Sequence, residues 1–133
     1  MSYERDYAYT KKLAGKTMTD VVARVREELG KEGFGVLTEI DVQAVLKKKL
    51  NVDRKPYLIL GACNPQLSHR ALEAEPPIGV FLPCNVDVFE GEDGAVYVQT
   101  PRPKELFKMI ASPGVAPVAE EVDAKMKRVL AAL

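Results

Sequence analysis

Residues 55–90 read KPYLILGACNPQLSHRALEAEPPIGVFLPCNVDVFE. Here a strand, a helix and the first arm of a hairpin follow one another, and their order decides the fold class. Tyr57 to Ala62 is apolar on both parities, the pattern of a strand covered on both faces or lying inside a sheet. Asn64-Pro65 then opens a helix. The asparagine side chain accepts from the free N–H groups of the first turn, and proline at the first helical position forfeits no hydrogen bond. Pro76-Pro77 stops that helix, since neither residue continues the backbone ladder. Beyond the prolines, Val80, Leu82, Cys84, Val86 and Val88 share one parity and Phe81, Asn85, Asp87 and Phe89 the other. The spacing predicts a strand whose first set faces the core. The turn GEDG (91–94) and AVYVQT (95–100) complete the hairpin.

Upstream, Tyr3, Tyr7 and Tyr9 fall on one parity and Glu4, Asp6, Thr10 and Lys12 on the other, which predicts a half-buried strand over 3–13. Met18, Val21, Val22, Val25 and Leu29 recur at helical spacing behind Thr17, a capping residue, and Asp20, which suits the positive end of a helix. Gly30 and Gly33 offer its stop. FGVLTEI (34–40) reads as another strand, and Asp41 as the N-cap of a short helix with an apolar stripe of Val42, Val45, Leu46 and Leu50. Lys47, Lys48 and Lys49 lie on its outer face. PKELFKMIA (103–111) is a short helix broken by Pro113-Gly114. Val115, Val118, Ala119, Val122, Met126, Val129, Leu130 and Leu133 make a long amphipathic helix to the C-terminus.

Strands and helices do not alternate strictly, and a hairpin sits in the second half. The expected fold is therefore α+β: a two-layer single domain over 1–133, with a largely antiparallel sheet and helices on one face. A chain of 133 residues buries roughly 65 to 70% of its unfolded surface and needs no disulfide or metal to fold. With Lys+Arg 19 and Asp+Glu 19 the net charge is +0, which argues against nucleic acid or an anionic membrane as partner. No apolar run reaches the ~18 residues of a membrane span. A cytoplasmic protein with reduced thiols is expected.

Cys63 and Cys84, each followed by asparagine, with the lone His69 between them, invite a reading as a metal or catalytic cluster. Their spacing matches no common zinc pattern and a fourth ligand is missing. A 100° step per residue puts Leu67, Ala71 and Ala74 on one side of the helix and His69 and Glu73 on the other, so neither a metal nor a cofactor is expected. Cys63, at a strand end beside a helix N-terminus, is the candidate reactive thiol. Cys84 shares the core parity. Glu39 and Asp41 are candidate acid or base groups, although capping already accounts for Asp41. No nucleophile elbow, phosphate loop or Gly-x-Gly-x-x-Gly occurs. Asp87 interrupts an apolar strand, and with Asn85, Phe81 and Phe89 it forms a candidate interface stripe. The lysine run reads as a solvated helix face.

The elements TEIDVQAVLKKKL, LGACNP, and LSHRALEAEPPIGVFLPCNVDVFE resemble the pattern of the prokaryotic family called domain of unknown function 302. The resemblance covers nearly the whole chain and is densest from Val36 to Glu90. It implies a curved antiparallel sheet of the TATA-binding-protein-like class and a homodimer, and it supplies no reaction. The residues it singles out are Glu39, Asp41, Cys63, Asn64, Pro65, Pro83 and Cys84. Two functions follow as expectations: a homodimeric module binding a small molecule or partner, or a thiol-dependent enzyme or redox sensor centred on Cys63.

Overall fold

The computed structural model describes residues 2–133. Its five strands are β1 (Ala8–Leu13), β2 (Gly35–Asp41), β3 (Tyr57–Cys63), β4 (Cys84–Glu90) and β5 (Val96–Pro101). The helices are α1 (Met18–Lys31), α2 (Val42–Leu50), α3 (Pro65–Ala74), α4 (Pro103–Leu106) and α5 (Ala116–Ala131), with short 3-10 turns at Pro76–Phe81 and Phe107–Met109. The strands form one sheet in the order β1-β5-β4-β3-β2, and every neighbouring pair is antiparallel. The expected α+β architecture, with its hairpin and long C-terminal helix, is the one observed.

Register fixes what each face carries, because directly paired residues point to the same side. Leu60 pairs with Val86, Ala62 with Cys84, and Val88 with both Leu58 and Val98. These side chains meet Val21, Val25 and Leu29 of α1 and Val118, Val122, Met126 and Val129 of α5 in the main core. The alternate residues Asp87, Phe89, Tyr97 and Gln99 occupy the opposite face. There Phe89 and Tyr97 are buried in a small aromatic cluster under Tyr3 and Tyr57.

The predicted caps hold. Thr17 accepts from the Asp20 N–H, Asp41 from Ala44 and Asn64 from Leu67. Each satisfies an N–H that the first helical turn leaves free. Between α1 and β2, Gly33 takes a left-handed φ of 84°, which a side chain would strain. One buried polar group, Asp123 of α5, was not singled out by the sequence pattern. Its carboxylate accepts from the Tyr9 hydroxyl at 2.9 and 3.0 Å, tying β1 to α5. Tyr9 in turn carries Arg102 and Lys127 against its ring at 4.8 and 5.3 Å.

Three expectations differ from the structure. The first strand begins at Ala8, not Tyr3. Tyr3 instead packs edge-on against Phe89 and Tyr97, a long-range contact that local alternation cannot encode. Residues 80–83 are not strand. Pro76-Pro77 sets a 3-10 turn through Phe81, followed by a cis Leu82–Pro83 bond, so Phe81 joins the main core against Phe107 and does not share a face with Asn85 and Asp87. Finally, the apolar stripe of α2 buries no residue fully; Val45 and Leu50 remain open to solvent.

These differences predict opposite costs for two leucines. Leu60 is 0% exposed and Leu50 is 66% exposed. Leu60→Ala should lower unfolding free energy by about 3 kcal/mol, and Leu50→Ala should change it by no more than about 0.5 kcal/mol. Urea denaturation of the two variants measures both.

Candidate functional site

The pairing of Ala62 with Cys84 brings the end of β3 beside the start of β4, so both cysteines lie at one end of the sheet. α3 starts immediately after Cys63. Asn64 uses both ends of its amide: Oδ1 accepts from Leu67 N–H and Nδ2 donates to the Glu32 carbonyl, each at 3.2 Å. The helix start is thereby tied to the turn that follows α1. That amide lies so close to Gly33 that a Cβ there would meet Nδ2 at 3.0 Å. Glu32 is itself anchored by Arg128 of α5 at 2.8 Å, a contact that holds its carboxyl below the usual range.

Between these elements lies a cavity of about 330 Å³. Phe34, Ala62, Leu67, Ala71, Cys84 and Phe107 contribute to its walls, and Leu37, Thr38, Leu72 and Pro83 lie where it meets solvent. The lining is almost wholly apolar; Thr38, Asn64 and Ser68 are its polar residues, alongside the two cysteines. Thr38 and Pro83 also pack over Gly61. A Cβ on it would collide with the Thr38 hydroxyl and reach 2.8 Å from Pro83, so only glycine lets those two side chains close over β3.

The two thiols differ in surroundings. Both are free and half-buried. Cys63 Sγ lies 3.3 Å from Ser68 Oγ, which also donates to the Pro65 carbonyl. Burial, with a smaller contribution from neighbouring Cys63, pushes the Cys84 thiol up to about 11. Cys84 therefore stays protonated at neutral pH, and an apolar wall is a setting in which a thiol is a poor nucleophile.

The structure gathers only part of the expected site. Cys63, Asn64, Pro83 and Cys84 line the cavity, and Pro65 begins the helix beside it. Glu39 is instead held by Arg26 at 2.6 Å, and Asp41 is spent as the α2 cap; neither borders the cavity. His69 is exposed on α3. Asn85 and Asp87 lie on the other face of the sheet, and Phe89 is covered by its own chain. Phe34, Phe107, Val118 and Val122 were not foreseen as lining residues, because they reach the cavity from α5 and from segments far apart in sequence.

The family model described as domain of unknown function DUF302 matches residues 9–133, and the chain belongs to this family. The chain is also similar to a protein whose structure is titled crystal structure of uncharacterized conserved protein DUF302 from Bacillus stearothermophilus. The two share 30% identity with a TM-score of 0.88, over 96% of this chain and 98% of the other. No curated protein matches the chain. No helix among the described residues is long and apolar enough to cross a membrane.

Alkylation should separate the thiols. Iodoacetamide at pH 8 should label Cys63 first, and the Cys84 rate should still be climbing with pH towards its raised value of about 11. Peptide mass spectrometry over a time course reads each site. Faster labelling of Cys84 would mean that the cavity wall opens readily.

Proposed function

We propose that the protein is a homodimeric binding module that takes a small apolar ligand into the cavity beside α3. The observation that carries this reading is the cavity itself. At about 330 Å³ it falls within the roughly 300 to 1,000 Å³ of small-molecule sites, and like them it pairs apolar walls with a few polar groups. An apolar body would displace water from the walls, and a hydroxyl or carbonyl at one end would remain within reach of Ser68. The family resemblance adds a cupped, TATA-binding-protein-like sheet acting as one domain, and two free thiols suit a reducing cytoplasm.

A thermal-shift screen of medium-chain alcohols, carboxylic acids and small aromatics tests the reading. At least one class should raise the melting temperature saturably. Leu72→Arg, at a partly exposed lining position, should weaken that ligand about tenfold, as expected when an apolar contact of about 1.4 kcal/mol is replaced by a charge. No saturable shift, or an unchanged affinity in the variant, would remove the support.

Self-association has its own support. β2 is an edge strand with one unpaired side, and all but one of its residues are exposed. Leu37, Ile40, Val45, Leu50 and Val52 leave apolar surface open along β2 and α2. An exposed edge flanked by apolar side chains invites pairing, so the dimer is read through this surface and not through Asn85 and Asp87. Light scattering at micromolar protein should give twice the chain mass, and Leu37→Glu with Leu50→Glu should return it to one. A monomeric wild type would sink the dimer.

The position of Cys63, 3.3 Å from Ser68 Oγ at the start of α3, favours a second reading as a thiol-dependent enzyme or sensor. Cys63→Ser distinguishes the two: ligand binding that survives the substitution belongs to the cavity and not to the sulfur.

A further inference from the structure

The face of the sheet opposite α1 and α5 carries a second, chemically different cavity. It measures about 220 Å³ and lies between Tyr7, Asn85, Asp87, Gln99 and Pro101. Asp87 is its unusual member. Tyr57 donates its hydroxyl to Oδ2 at 3.0 Å, while Oδ1 has lost contact with solvent and receives no hydrogen bond among the described residues. No lysine or arginine among those residues forms an ion pair with it.

An ionised oxygen shut away from water without a donor costs stability. Burial accordingly pushes the Asp87 carboxyl above its ordinary range, against the opposing pull of the Tyr57 hydroxyl. The sign follows from proton counting. The folded chain holds the proton to higher pH than the unfolded chain does, so this group's contribution to stability falls as pH rises from the ordinary carboxylate range through the raised value. Whenever the carboxyl is ionised, Oδ1 therefore lacks a donor at this spot.

The neighbours of Asp87 turn that demand into a specific shape. Gln99 stands opposite Asp87 across the β4–β5 pair. Both of its amide N–H groups are engaged, by the Tyr3 carbonyl at 2.8 Å and the Thr10 hydroxyl at 2.9 Å, which leaves its carbonyl oxygen as the free group. Asn85, two residues along β4 and exposed, adds another amide oxygen. The cavity thus offers three acceptor-bearing side chains, one of them a carboxyl, and Tyr7 adds an aromatic ring to the lining.

We propose that this cavity binds a protonated primary amine, whose –NH3+ group donates to Asp87 Oδ1, Gln99 Oε1 and Asn85 Oδ1. A primary ammonium has three N–H donors and no acceptor, which matches the set. A neutral alcohol brings one donor, and a quaternary ammonium brings charge without any. Oδ1 is closed off from solvent in the free protein, so reaching it takes a turn about the terminal torsion, which is broad for aspartate, and that turn moves Oδ2 against the Tyr57 hydroxyl as well. Tyr7 can add a cation–π contact. This site is independent of the apolar cavity beside α3, which lies at the end of the sheet and contains none of these residues.

Titration with n-butylammonium chloride tests the assignment, with tetramethylammonium chloride at equal ionic strength and n-butanol as controls. Only butylammonium should move the side-chain amide resonances of Asn85 and Gln99 saturably and raise the melting temperature. Asp87→Asn, nearly isosteric, should weaken binding at least about tenfold, as expected for a lost charge-assisted hydrogen bond. Asn85→Ala, at an exposed position that does not endanger the fold, should weaken it about threefold. Equal shifts with tetramethylammonium, unchanged binding in Asp87→Asn, or no saturable response to butylammonium would each overturn the proposal.

Discussion

The antiparallel pairing of β3 with β4 is the constraint on which the rest of the molecule depends. Because Leu60 faces Val86 and Ala62 faces Cys84, one side of both strands is apolar and is sealed by α1 and α5. The same register puts Asn85 and Asp87 on the other side, opposite Gly61 and Ile59. A slip of one residue would exchange the two sets and put a carboxylate under the helices. Keeping the carboxylate out of the helical core and burying the apolar residues therefore demand the same register, the agreement between levels that makes a fold unique.

Polar groups on the two sides of the sheet are treated differently. On the helical side, Asp123 is buried but amply served by the Tyr9 hydroxyl, the Lys104 N–H at 3.4 Å and Lys127 at 3.4 Å. A carboxylate with several donors fixes the angle between α5 and β1 without leaving a charge unpaired. On the open side Asp87 keeps a single donor. A fully buried, saturated carboxylate and a half-buried one with an oxygen left over mark the difference between a group that holds the structure and a group with capacity to spare.

Much of this was legible in the chain because the signals were local. Thr17, Asp41 and Asn64 each cap the helix they precede, and the alternation of Val86 and Val88 with Asp87 and Phe89 gave the two faces of β4. The errors fall where a distant contact overrides local pattern. Tyr3, read as strand by its parity with Tyr7, lies instead on the Phe89–Tyr97 cluster. Phe81 follows two prolines whose fixed φ angles produce a 3-10 turn, not the extended chain that alternation suggested. The stripe of α2 was correctly spaced but has no neighbour within the chain to bury it. As for the site, the adjacent cysteines were visible as a motif, but the cavity they line was not. A cavity is assembled from residues that periodicity records only as core, such as Phe34, Phe107 and Val122.

β4 finally connects the two proposed binding regions, and its geometry explains why they can work separately. Cys84, its first residue, borders the apolar cavity, and Asp87, three positions on, points to the opposite face. A strand rises about 3.3 Å per residue, so the two side chains sit roughly 10 Å apart along the chain and on opposite surfaces. Val86 and Val88, 1 and 0% exposed, lock the strand between them against α1 and α5. Interiors packed to that density shift between discrete arrangements and do not deform smoothly. An amine beside Asp87 adds a hydrogen bond and relieves an unpaired charge, without any packing change that would have to pass through Val86 to reach the thiols. Affinity for an apolar ligand beside α3 should consequently be indifferent to the open face, as befits two sites whose walls share a strand but no side chain.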